Sequence, residues 1–238
     1  MLWLSRKDIE HISHRLLRDY LKKVPQKIDH IDPVDFAEKM CGLQFAFVDI
    51  SEAHDTIGLT ATSGVIITIP QRDGTRLDYE LDGKTAFIDQ SLVAENQIGR
   101  LNFTMMHEAA HQLFWMFYPE EYEVQTPRCV FRMADEHTQY PVLDWEEWQT
   151  NVLTSFLLLP KELVYRHMAG VGLKDGIGVL NRIYAHKDYE RFSEVAKRLG
   201  VSKTALAIRL SQLGLVGRND LYDPYALVDI FPEKNEIA

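Results

Sequence analysis

Strand-like texture gathers in a single block of this chain, with helical texture before and after it, and that segregation limits the fold more than any other feature. In the first forty residues Ile9, Ile12, Leu16, Leu17, Tyr20 and Leu21 recur at helical spacing and Pro25 closes the segment. Asp32-Pro33 opens a second helix through Phe36, Ala37 and Met40, ended by Gly42. Three short β-branched or aromatic runs follow: Leu43 to Val48, Gly64 to Ile69, and Lys84 to Ile88. Asp73-Gly74 and Asp82-Gly83 are turn dipeptides suited to tight hairpins. After Glu95 the pattern returns to helix over about Ile98 to Phe117 and Trp145 to Leu159, with a third helix after Pro160. Strands followed by helices predict an α+β fold around a small, mainly antiparallel sheet.

Composition narrows what this fold can serve. A chain of 238 residues fits one domain, or a main domain with an appendage, and at this size builds its core without disulfide staples. Cys41 and Cys129 lack the paired spacing of a zinc ribbon or redox motif and are expected reduced. The net charge of −9 argues against a surface devoted to a phosphate backbone. Charges at Arg6, Lys7 and Asp8 break what would be the apolar centre of a signal peptide, and every apolar run falls far below the ~20 residues that span a bilayer. The expectation is a soluble, cytoplasmic protein without a membrane partner.

Chemistry concentrates in His107-Glu108-Ala109-Ala110-His111. On a helix, positions four apart lie roughly 40° apart on one face, so both imidazoles can reach one ion. Glu108 stays within the same arc, close to a metal-bound water but displaced from the ligand position. Such a set binds Zn²⁺ through two neutral imidazoles and uses the carboxylate as general base. A glycine and a histidine three and six positions after His111 would define a metzincin; Phe114 and Phe117 stand there instead.

The third ligand must then come from elsewhere. Glu147 and Asn151 are four apart on the next helix, so Glu147 can ligate while the Asn151 amide orients a ligand. The competing reading makes Asp144 an N-cap with Glu147 closing a capping box. Beside the His-Glu-x-x-His run, ligation by Glu147 is preferred, with Glu146 as the fallback. The donor for a developing oxyanion is open; His137, Tyr122 and Tyr140 are candidates by chemistry alone.

Gly99-Arg100-Leu101-Asn102-Phe103-Thr104-Met105-Met106-His107-Glu108-Ala109-Ala110-His111 resembles the Arg-x-x-Phe-Thr-x-x-His-Glu-x-x-His signature of the ImmA/IrrE family of metallopeptidases. Glu147 through Pro160 resembles that family's second signature, Glu-x-x-Ala-Asn/Asp followed by Leu-Leu-Met-Pro, and Val201 through Val216 resembles the helical segment after the peptidase core. Ala110, Thr150 and Leu159 depart from the usual Gly, Ala and Met and leave the ligands intact. The resemblance implies a gluzincin-like zinc site with His107, His111 and Glu147 as ligands and Glu108 as base, within a zincin-like core. It also implies proteolysis of a helix-turn-helix repressor from a mobile element, prophage or stress regulon, without an added sensor domain.

The expected organisation is a helical lead-in over 1–42, the peptidase core over 43–170, a helix-turn-helix-like segment over 171–218 and a tail over 219–238. Lys197, Arg198, Lys203, Arg209 and Arg218 against Glu194 give residues 192–218 a local excess of positive charge. The stretch 203–213 is nonetheless mostly core-like, which favours a structural or substrate-docking role over DNA reading. The rival expectation is a non-proteolytic regulator that binds a repressor or DNA with a structural or vestigial metal site.

Overall fold

A computed structural model describes residues 3–25, 27–71, 73–122, 129–133 and 145–223. Among these the chain is a mixed α+β protein with seven α-helices and eight strands. Helix α1 (Arg6–Lys23) starts at a reciprocal cap in which the Ser5 hydroxyl accepts from the Asp8 N–H and the Asp8 carboxylate accepts from the Ser5 N–H. Helix α2 (Pro33–Cys41) starts where the Asp32 carboxylate accepts from Val34 and Asp35, and Gly42 ends it. The bounds of α2 agree with the punctuation read from the sequence, and α1 ends at Lys23, ahead of Pro25.

The β block is more mixed than expected. Strands β1 (Gln44–Val48), β2 (Thr56–Ala61), β3 (Ser63–Pro70), β4 (Arg76–Asp82), β5 (Thr85–Asp89) and β6 (Cys129–Met133) form two sheets. Four of them make one sheet in the order β1-β5-β2-β6, whereas β3 and β4 pair only with each other. The hairpin at Asp73-Gly74 is present. The one expected at Asp82-Gly83 is not: β5 leaves β4 and inserts between β1 and β2, antiparallel to β2 and parallel to β1. The Asp82 carboxylate still shapes that turn, accepting from the Lys84 and Thr85 N–H groups. Local turn chemistry was right there, and the partner strand was not.

Helix α3 (Ile98–Phe117) lies against β2 and is tied to it by Gln112, whose amide donates to the Thr60 hydroxyl and the Ala61 carbonyl. Helices α4 (Trp145–Leu158) and α5 (Lys161–Gly170) follow, then β7 (Ile177–Leu180), α6 (His186–Leu199), α7 (Lys203–Gln212) and β8 (Val216–Asn219), with β7 and β8 paired in parallel. One apolar cluster runs through Ile9, Phe36, Phe114, Leu157, Phe192 and Leu210, so the lead-in, the two central helices and the C-terminal helices share a core.

The helix-turn-helix outline is present as α6, a turn at Gly200-Val201-Ser202, and α7. Its charge is not all displayed, however. Arg209 is buried, donates to the Leu159 carbonyl and stacks its guanidinium over Phe156, so it ties α7 to the end of α4. The turn also presses on α3. A Cβ at Gly99 would come within 2.4 Å of the Ser202 nitrogen, and the Asn102 amide donates to the Gly200 carbonyl. No helix among the described residues is long and apolar enough to cross a membrane.

Candidate metal centre

Helical spacing delivers what it implied. On α3, His107 and His111 are each 1% exposed and their Nε2 atoms lie 3.1 Å apart. Helix α4 brings Glu147 over both: Oε2 lies 3.1 Å from His107 Nε2, and Oε1 lies 3.0 Å from His111 Nε2. These three residues offer ligand atoms within 4.8 Å of one another, a grouping able to hold a metal ion. Ligands of tetrahedral zinc at their usual bond lengths stand about 3.3 Å apart, so the trio needs to open only slightly.

The fallback, Glu146, takes a different place. It is buried, accepts from Trp115 Nε1 at 3.1 Å, and sits 3.5 Å from His111 Nδ1, the ring nitrogen away from the cluster. Glu146 therefore orients His111 from behind, and on the other imidazole Asn151 Oδ1 lies 3.2 Å from Nδ1 of His107. Asp144, which the capping-box reading needs, lies outside the described residues, as do His137, Tyr140 and the tail beyond 223. Tyr122 is in the apolar core, stacked on Phe114.

Glu108 is the side chain that tests whether a metal fits. It is 1% exposed, and neither carboxylate oxygen has a hydrogen-bond partner among the described residues. A buried carboxylate without a donor is costly unless the site supplies one when loaded, and a cation with its water beside two imidazoles and a carboxylate does so. The donor set, two nitrogens and one carboxylate, matches catalytic zinc sites that keep a position open.

Two residues in this site had escaped the sequence reading. The first is Gly58 on β2, a strand buried throughout. A Cβ at Gly58 would fall 2.3 Å from Glu108 Oε1 and 2.8 Å from Thr104 Cγ2, so a bare backbone lets the strand touch the carboxylate. Gly58→Ala should displace Glu108 and destabilise the protein by about 1–3 kcal/mol, read by thermal unfolding; unchanged stability would show that the strand yields. The second is Arg132 on β6, whose NH1 lies 2.6 Å from His107 Nδ1 and 3.2 Å from Asn151 Oδ1.

The two imidazoles differ in charge. Burial and the Arg132 charge hold His107 down to about 3, so it is neutral. Burial also opposes charge on His111, but hydrogen bonds to Glu146 and Glu147 outweigh it and raise the pKa to about 9. Glu147, although burial works against its charge, is kept well below the usual carboxylate range by His107 and His111. Burial lifts Glu108 to about 8. The Cys129 thiol, raised to about 11 by burial and by the Glu108 charge, stays protonated.

Metal binding must therefore expel the His111 proton. Affinity should rise about tenfold per pH unit from pH 6.5 until the pKa of about 9 is passed, and then level off. Calorimetric titration in buffers of different ionisation enthalpy measures the released proton; a pH-independent affinity would contradict the assignment. Compared with protein-family models and with curated proteins, the chain matches none.

Proposed function

We propose that this protein is a zinc-dependent endopeptidase, with His107, His111 and Glu147 as metal ligands in a zincin-like arrangement and Glu108 as the catalytic acid–base. The observation that carries the reading is the buried Glu108 carboxylate, without a hydrogen-bond partner among the described residues, one residue after His107. A purely structural site has no use for such a group. A zinc ion bound by the three residues would supply Lewis acidity and a water of lowered pKa.

The chain's own residues supply the rest. Glu108 takes a proton from the water that adds to the peptide carbonyl and returns it to the amine nitrogen as the C–N bond breaks. Glu146 and Asn151 keep the imidazoles aimed, and Gly58 leaves Glu108 its space. The resemblance of residues 99–111 and 147–160 to the ImmA/IrrE signatures supplies the substrate class, a helix-turn-helix repressor. An acidic chain and a basic DNA-binding substrate are electrostatically matched.

Incubating the purified protein with zinc and a candidate repressor tests the reading, with cleavage followed by mass spectrometry. A repressor bound but left intact would favour the non-proteolytic regulator instead. A shifted DNA fragment in a gel assay would favour direct DNA binding, against which the burial of Arg209 counts.

A further inference from the structure

A cavity that shares no residue with the metal centre opens between α1 and α5. On α1, His14, Leu17, Arg18 and Leu21 follow one another at intervals of three, one and three residues, which puts them in one stripe along the helix. Ile28 and Ile31, from the loop before α2, and Pro160 and Leu163, where α5 begins, meet this stripe around a volume of about 490 Å³. Small-molecule sites commonly have this size. Leu17, Ile31 and Leu163 are buried and form its floor, while Leu21 is 48% exposed at its mouth.

The loop that closes one side is fastened to α5. Arg166 donates to the Ile28 carbonyl and lies 3.3 Å from Asp29 Oδ1, and His167 Nε2 lies 2.6 Å from the Asp29 carbonyl oxygen. The walls are therefore in place before a ligand arrives, which lowers the ordering cost of binding.

Charge around the cavity runs against that of the chain. Arg18, Lys27 and Arg166 line it, with Glu162 the acid among the lining residues, in a protein of net charge −9. Asp29 partners Arg166, whereas Asp19, 3.8 Å from Arg18, is held more closely by Lys22 at 2.7 Å. Three cations set against Glu162 and Asp29 leave one positive charge, carried at the mouth by Arg18 and Lys27. One excess charge over apolar walls suits a single carboxylate on a hydrocarbon body, and the arginine fork can take both of its oxygens. A phosphate dianion would set its second charge against Glu162 and Asp29.

We propose that this cavity binds a small amphiphilic carboxylate, with its hydrocarbon body against Leu17, Ile31 and Leu163 and its head between Arg18 and Lys27. The inference depends neither on the metal nor on peptide hydrolysis.

Decanoate, decanol and decyl phosphate, each titrated into the full chain at pH 7, provide the test, by calorimetry and by spectra of ¹³C-methyl-labelled isoleucine. Decanoate should shift the Ile28 and Ile31 methyls and leave those of Ile57 and Ile88, packed beside α3, unmoved. It should bind at least about tenfold more tightly than decanol, the effect of one charge-assisted hydrogen bond, and more tightly than decyl phosphate. Arg18 and Lys27 are both exposed, so the double variant Arg18→Gln/Lys27→Gln should fold. It should weaken decanoate about 10–100-fold and leave decanol as it was. Leu21→Asp should weaken both. Equal affinity for decanol, methyl shifts confined to other isoleucines, or an absence of saturable binding overturns the proposal, and these wild-type results stand without any variant. Preference for decyl phosphate overturns it in favour of a phosphate ester, and undiminished decanoate binding by the double variant overturns the placement of the head.

Discussion

Glu108→Gln should bind zinc about as well as the wild type and cleave the repressor roughly 10²–10⁴-fold more slowly. The substitution keeps the size of the side chain that Gly58 leaves room for and removes only the ability to accept and return a proton. Because neither Glu108 oxygen holds a hydrogen bond among the described residues, none of those contacts is lost with it. The amide is also cheaper to bury than a carboxylate, so thermal stability should hold or rise. Zinc content by atomic emission and turnover on one substrate give the answer. Undiminished cleavage would remove Glu108 from the mechanism, and lost zinc would recast it as a ligand.

His111→Ala should abolish both zinc binding and cleavage. His111 is held at both ring nitrogens: Nε2 faces Glu147, and Nδ1 faces Glu146 and the Thr150 hydroxyl. Removing it leaves two buried or half-buried acids facing each other without their shared cation. In the wild type, zinc at a hundred times its Kd should stabilise the fold by about 2.7 kcal/mol, seen as a higher Tm. That gain should vanish in His111→Ala and on chelation. A variant whose Tm still climbs with zinc would place the ion elsewhere.

These effects were largely legible before any coordinates, because they depend on spacing along single helices. Four residues separate His107 from His111 and Glu147 from Asn151, and a helix turns each interval into a shared face whatever the rest of the chain does. Glu146 was weighed as a ligand because sequence alone gives its position on α4 and not what lies behind it; the Trp115 N–H drew it to the back of His111. The β block was less legible for a similar reason. Turn residues such as Asp82-Gly83 specify a reversal, but only pairing across the sheet decides which strand receives the chain.

Gly58 had a usable signal, a glycine inside the β-branched run Thr56-Ile57-Gly58-Leu59-Thr60-Ala61, which often marks a close backbone approach. Arg132 had none. It stands among residues without periodicity, and its contact with His107 exists only because β6 pairs with β2 across a long sequence separation.

The turn between α6 and α7 rests on α3 at Gly99 and Asn102, while Arg209 fastens α7 to the end of α4. The C-terminal helices thus grip both helices that carry the His107-His111-Glu147 cluster, one near its start and the other at its finish. Such a segment is not an exchangeable cassette. A recombination event that brought in a foreign helix-turn-helix would have to carry a glycine-bearing α3 and a fitting α4 terminus with it. Inheritance of the His107-His111-Glu147 cluster and of the C-terminal helices is therefore joint, and drift at Gly99 is answerable to residues a hundred positions downstream.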